Sequence, residues 1–355
     1  MQSPKKRWNV PMNHNTFFDF CYCRLIVRFE VLKSVLLPPY SGSTIQGWMG
    51  NLMNQVKYDK NREDCQSCPV QFDCRHKIIR DYLIRPPASH PLIYHHIQNI
   101  PESERYSPYY PSPVIIEPVD SGLKMPGTEL KLEMIIIGRA LNYIQFLLCA
   151  LKYASLHEIG DKYDGVRGII KTLEVSDDTG NLIMRNATIF PDSACTLYDI
   201  NVFRKEISDL THSINDDIKL EMRFITPFQY KHDHRDNPPI NNFNILFTLL
   251  IRRLRYLSLY TAINDEEMCK LLFDAPESYE KLANKISCEN RLEDFRWNKY
   301  SSTSAQRYDI VGKTGKIILR GDLKPFLLLL KLAECFHIGK HTGYGMGRYV
   351  LEIEE

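Results

Sequence analysis

One pattern occurs twice in this 355-residue chain, and few folds accommodate it. A strand-like run ends in glycine, an apolar helical stretch follows, then a loop of glycines and cations, then another strand. The C-terminal copy reads Gly321-Asp322, Leu323 to Phe336, His337-Ile338-Gly339-Lys340-His341-Thr342-Gly343-Tyr344-Gly345-Met346-Gly347-Arg348, and Tyr349 to Glu355. The N-terminal copy has a strand from Glu129 to Ile137, a break at Gly138, a helix from Leu141 to Leu156 and a strand from Ile169 to Val175. His157-Glu158-Ile159-Gly160 answers to His337-Ile338-Gly339, and Gly165-Val166-Arg167-Gly168 to Gly345-Met346-Gly347-Arg348. Identity is low but the order is the same, which predicts two copies of one module. Asp322 is placed to cap the last helix and Gly339 to end it in the left-handed conformation.

The second half supplies the rest of a module. Lys219 to Ile225 alternates as a half-buried strand. Phe243, Leu246, Phe247, Leu250, Leu254 and Leu257 recur at helical spacing within a helix from about Asn242 to Ala262. A second helix is expected over Asp265 to Phe273, and strands over Phe295 to Ser302 and Tyr308 to Leu319, with Gly312-Lys313-Thr314-Gly315 turning the last back on itself. Strand, helix, strand, strand, helix, strand is the ferredoxin-like βαββαβ plan. The expected fold is therefore α+β, with tandem ferredoxin-like (RRM-like) βαββαβ domains at 1–215 and 216–355. The first carries a Cys-containing insertion at 58–128, and the second a glycine-rich loop at 339–348.

Composition limits what such a pair of domains does. With 44% hydrophobic and 25% charged residues the chain is ordinary for a globular protein. A net charge of +2 restricts any nucleic-acid surface to a local patch. Lys5, Lys6 and Arg7 are not followed by an apolar segment, so no signal peptide is read, and no run approaches the roughly 18 apolar residues of a membrane helix. A cytoplasmic chain follows, and its ten cysteines then read as thiols or metal ligands. Cys65, Cys68 and Cys74, with His76 two residues on, have the spacing of a structural zinc site. Reduced surface thiols are the alternative, and His90, His95 and His96 compete with His76 as fourth ligand.

Phe224-Ile225-Thr226-Pro227, the Arg252-Arg253-Leu254 helix, Trp297 to Ser304, and His337-Ile338-Gly339-Lys340 with Gly343, Gly345 and Gly347-Arg348 together resemble a known family. It is that of the CRISPR-associated endoribonucleases that process precursor CRISPR RNA, within the RAMP (repeat-associated mysterious protein) superfamily. The resemblance is clearest over residues 218–350. It implies cleavage within repeats, without a metal, by attack of a 2′-hydroxyl on its own phosphate to leave a 2′,3′-cyclic phosphate. Its partners would be precursor and mature CRISPR RNA and CRISPR effector proteins, with no membrane and no catalytic cofactor. Such chemistry needs a base, an acid and cations. His337, Lys340, His341 and Tyr344 are the catalytic candidates. Gly343, Gly345, Gly347, Arg348, Arg252 and Arg253 are the RNA-binding ones, although Arg252, Arg253 and Arg255 also suit a solvated helix flank. A helix C-terminal cap is the bland role for His337. Many family members place a histidine in the first helix of the N-terminal domain, but this chain has none between His14 and His76. A non-catalytic RNA-binding RAMP subunit is therefore the alternative.

Overall fold

The computed structural model describes residues 19–56, 75–105, 107–160, 166–190, 193–211, 218–301 and 306–353. The strands, in chain order, are β1 (Tyr22–Lys33), β2 (Val35–Leu37), β3 (Val114–Ile116), β4 (Gly122–Lys124), β5 (Glu129–Ile137), β6 (Ile169–Asp177), β7 (Leu182–Arg185), β8 (Thr188–Ile189), β9 (Ile218–Phe228), β10 (Lys231–His232), β11 (Arg235–Asp236), β12 (Ser287–Ser301), β13 (Gln306–Gly321) and β14 (Tyr349–Ile353). The helices are α1 (Gly42–Gln55), α2 (Arg75–Ile84), α3 (Ile144–Leu151), α4 (Ile200–Thr211), α5 (Phe243–Leu257), α6 (Glu266–Cys269), α7 (Pro276–Ala283) and α8 (Leu327–Phe336).

The repeat is real. The first sheet has the order β3-β5-β1-β6-β7-β8 and the second β12-β13-β9-β14. Reading both as second, third, first and fourth strand gives the same antiparallel ferredoxin-like order, with β7 and β8 added to one edge of the first. β1 earns its central place by alternation: Leu25, Val27, Phe29 and Val31 are buried while Arg28 and Leu32 are exposed. α5 buries all six apolar residues expected of its core face, and the Asn242 side chain accepts from the Ile245 N–H at its start. One continuous apolar core runs through both halves. Phe336, at the end of α8, makes ring contacts with Phe20, Tyr22 and Phe203.

Several local expectations differ from the structure. Asp322 does not cap α8; a 3-10 turn over Lys324–Phe326 intervenes. Nor does Gly339 end that helix, because His337 at its C-cap already has φ +59°. The Gly312 to Gly315 stretch is not a turn, since β13 runs straight through it. Gly312 instead lets Pro227 approach, and Gly315, at φ +110°, relieves a register shift against β9. The 58–128 segment is not wholly an insertion, because its Val114-Ile115-Ile116 pairs with β5 as the second strand of the first sheet. The helix expected over 141–156 breaks into 3-10, α and 3-10 turns. α4 lies just before the expected boundary at 215/216, which is outside the described residues.

The two sheets are tied by a buried carboxylate. Glu117 follows β3 directly and is only 4% exposed. Its Oε1 lies 2.8 Å from His337 Nε2, and its Oε2 lies 3.7 Å from an Arg348 guanidinium nitrogen. Burial alone would raise this carboxyl, but the charges of His337 and Arg348 and the His337 hydrogen bond outweigh it and hold it below its ordinary 4.5. A carboxylate held low stabilises the folded state above its ordinary pKa, and that stability disappears as pH falls through the folded value. Thermal melts should therefore show a loss of stability below pH 4.5 that is shallower in Glu117→Gln, while at neutral pH Glu117→Gln costs on the order of 3 kcal/mol because the buried carboxylate no longer faces His337 and Arg348. Gly347 sits at φ +73°, and a Cβ there would collide with the Ile338 carbonyl. Gly347→Ala should cost at least roughly 1–3 kcal/mol in the same melts.

Candidate catalytic loop and nucleic-acid interface

Residues 337–348 join α8 to β14 and lie against the first sheet. The loop is closed on itself and on its surroundings by backbone bonds. Ile338 N donates to the Gly347 carbonyl, Lys340 N to that of Gln229, and Gly347 N to that of Pro227. The Thr226 hydroxyl donates to the Gly345 carbonyl and accepts from Arg348 N. The Tyr40 hydroxyl donates to the Tyr344 carbonyl at 2.6 Å.

Gly343, Gly345 and Gly347 are buried, so the expectation that they touch RNA is corrected. A Cβ on Gly343 would lie 2.8 Å from Ser112, and one on Gly345 2.7 Å from Pro118. The glycines allow the loop to approach the protein's own backbone, which is the same steric need a ligand would have imposed. His337 is also enclosed, 1% exposed and bound to Glu117. It holds the two sheets together and does not face solvent.

Tyr344 is buried as well, and burial pushes its phenol far above the ordinary value. It stays protonated at working pH and cannot act as a phenolate base. Its ring instead lies under His341, 5.0 Å away and 19° from parallel. His341 is exposed, with a left-handed backbone at φ +64°. Lys340, beside it, is 38% exposed and reaches Asp236 at 2.7 Å. An ion pair this exposed contributes little to stability.

The arginines divide. Arg253 is buried in α5, where its guanidinium donates twice to the Phe336 carbonyl at the end of α8, at 2.9 and 3.0 Å. Burial lowers its pKa to about 10, which leaves it cationic at neutral pH. It serves the helix end, where a cation is favoured, and is inaccessible to RNA. Arg252 is more exposed and donates to the Lys231 carbonyl. Arg348 borders a cavity of about 320 Å³ between the sheets, with Arg24, Lys331 and His337. Glu117, Asp178, Glu206 and Glu334 line the same cavity, so four carboxylates face three fixed cations. An RNA backbone is not drawn there.

Cys65, Cys68 and Cys74 lie outside the described residues, and His76 is in the first turn of α2 without a described side chain. Among the described residues no group of three or more His, Cys, Asp or Glu is arranged to hold a metal. His90 is not available as fourth ligand. Its Nε2 lies 2.9 Å from the Ile78 carbonyl and its Nδ1 accepts from Leu92 N. Glu117 was missed by sequence reasoning, because nothing in a proline-flanked stretch marks one carboxylate as buried. No helix among the described residues is long and apolar enough to cross a membrane.

Residues 222–349 match the model of the family described as CRISPR-associated endoribonuclease Cas6, and residues 19–195 match one described as an N-terminal domain. No curated protein matches the chain. Among solved structures, a partial Cas6-RT-Cas1–Cas2 complex aligns over 95% of this chain with a TM-score of 0.54 and 10% identity, and the Cas6-RT-Cas1–Cas2 complex gives the same values. This chain spans 47% of the first of those chains and 29% of the second. Thermus thermophilus Cas6 aligns over 94% of this chain and 99% of its own at 13% identity, with a TM-score of 0.47. Residues 222–349, which include the loop before the last strand, are therefore similar to the Cas6 endoribonuclease family, and the strand order shared by the two sheets fits that likeness.

Proposed function

We propose that this chain is an endoribonuclease that cleaves precursor CRISPR RNA within its repeats, without a metal ion, to give mature guide RNA. The 2′-hydroxyl of the nucleotide before the cut gives its proton to solvent water as it attacks the adjacent phosphorus, the bond to the 5′-oxygen breaks, and a 2′,3′-cyclic phosphate and a 5′-hydroxyl remain. The observation that carries this is the apex of the loop. Most of residues 337–348 is buried, whereas His341 is exposed and Lys340, next to it in the chain, is partly exposed, as is Arg348. The exposed His341 imidazole, when protonated, can donate its proton to the departing 5′-oxygen. Lys340, released from Asp236, balances the charge that builds on phosphorus. The stacked Tyr344 ring fixes the orientation of the imidazole. In this reading the chain works in the cytoplasm, and its partners are precursor and mature CRISPR RNA and the proteins of a CRISPR effector complex.

A second reading, a non-catalytic RAMP subunit that holds RNA, is favoured by one observation. α1, from Gly42 to Gln55, carries no side chain able to act as an acid or base near neutral pH, so no second proton-transfer group faces the loop from that helix. The two are separated by incubating the protein with repeat RNA in EDTA. Cleavage that survives chelation and leaves a cyclic phosphate is expected. Tight binding with intact RNA would instead establish the second reading. His341→Ala should slow cleavage by roughly 10²–10⁴ and Lys340→Ala by about 10², with melting temperatures unchanged. His337→Ala should lower the melting temperature, because Glu117 loses its partner.

A further inference from the structure

The 75–113 segment does more than complete the first sheet. Arg85 follows α2, and its guanidinium carbon lies 4.3 Å from the centre of the Tyr109 ring. Tyr109 is 45% exposed and Arg85 is exposed. Most exposed arginines whose contacts are described, such as Arg28, Arg204, Arg223 and Arg291, are paired with carboxylates. Among the described residues none lies within ion-pair distance of Arg85. An unpaired cation stacked on a half-exposed phenol is open to an anion and to a flat π-surface together.

The pair stands on a stiff support. Ala88 N donates to the Pro108 carbonyl at 3.1 Å and Tyr110 N to that of Pro86 at 3.0 Å, while Pro87 bridges Tyr109. The Ser112 hydroxyl donates to the Leu83 carbonyl, and Ser112 is the residue packed against Gly343 of the loop. The support therefore ends two residues from His341. Arg85 is also near enough to Tyr344 for its charge to act on that phenol, against the larger upward effect of burial.

We infer that Arg85 and Tyr109 form a nucleobase subsite, which stacks an unpaired RNA base next to the phosphate held at Lys340 and His341. This rests on the reading of the loop as an RNA-cleaving site and adds to it where the substrate strand runs. It requires a single-stranded nucleotide beside the cut, because a base within a duplex cannot expose its face to the pair.

The test uses the full chain and repeat RNA made non-cleavable by a 2′-deoxy nucleotide at the cut, with binding followed by fluorescence anisotropy. Tyr109→Ala should weaken binding roughly 5- to 100-fold, the range for loss of one stacked base, and Tyr109→Phe should bind as wild type. Arg85→Ala should lower the slope of log affinity against log salt by about 1. An RNA with one abasic nucleotide at a single position near the cut should bind wild type as weakly as intact RNA binds Tyr109→Ala, and the two losses should not add. Wild-type affinity in Tyr109→Ala, for an RNA that wild type binds and cleaves, overturns the subsite and leaves the nuclease reading standing. Absence of repeat-RNA binding by wild type overturns both.

Discussion

A single enclosed carboxylate organises the join between the halves of this protein. Glu117 leaves the first sheet at the end of β3 and meets His337 and Arg348, the two ends of the loop in the second. A charge taken this far out of water is tolerable only with partners in place, and removing either side leaves an uncompensated ion. The requirement is mutual. The halves can dock in one register, and the loop can adopt one shape, because any slip would strand the carboxylate or the imidazole in an apolar setting.

The loop's chemistry follows from that packing. Its glycines admit neighbouring backbone at Ser112, Pro118 and Ile338, its phenol is sunk beneath an imidazole, and its first histidine is consumed in the interface. The most exposed part of the loop is its apex at His341, with Lys340 and Arg348 partly exposed and backbone bonds on both sides. Rigid presentation of a few groups suits catalysis and binding better than a mobile cationic segment would, since less conformational freedom is lost when a phosphate arrives. The cavity between the sheets is of mixed charge, with Glu117, Asp178, Glu206 and Glu334 facing Arg24, Lys331 and Arg348.

Much of the architecture was legible from periodicity. β5 was read at its full extent and α5 by its buried face, because alternation and helical spacing are local properties of the chain. The repeat was legible because both copies place glycine where strand gives way to helix, and Gly138 and Gly321 both have positive φ. β3 was not, being three residues hidden among prolines. The Gly312 to Gly315 stretch was misread because glycine suits a turn and a close strand approach equally well, and only the neighbouring Pro227 and Arg291 distinguish them.

The sequence by itself determined the α+β class, the duplicated ferredoxin-like order and the loop before the last strand, since each is written in local spacing and in the order of elements. It also supplied the loop residues of the site, Lys340 and His341 among them, but not Glu117. Which of them face solvent was decided only by the tertiary structure. Burial is a property of what packs against a side chain, and the elements that bury His337, Tyr344 and Arg253 come from β3, α1 and α8, distant in the chain and unmarked by any local pattern.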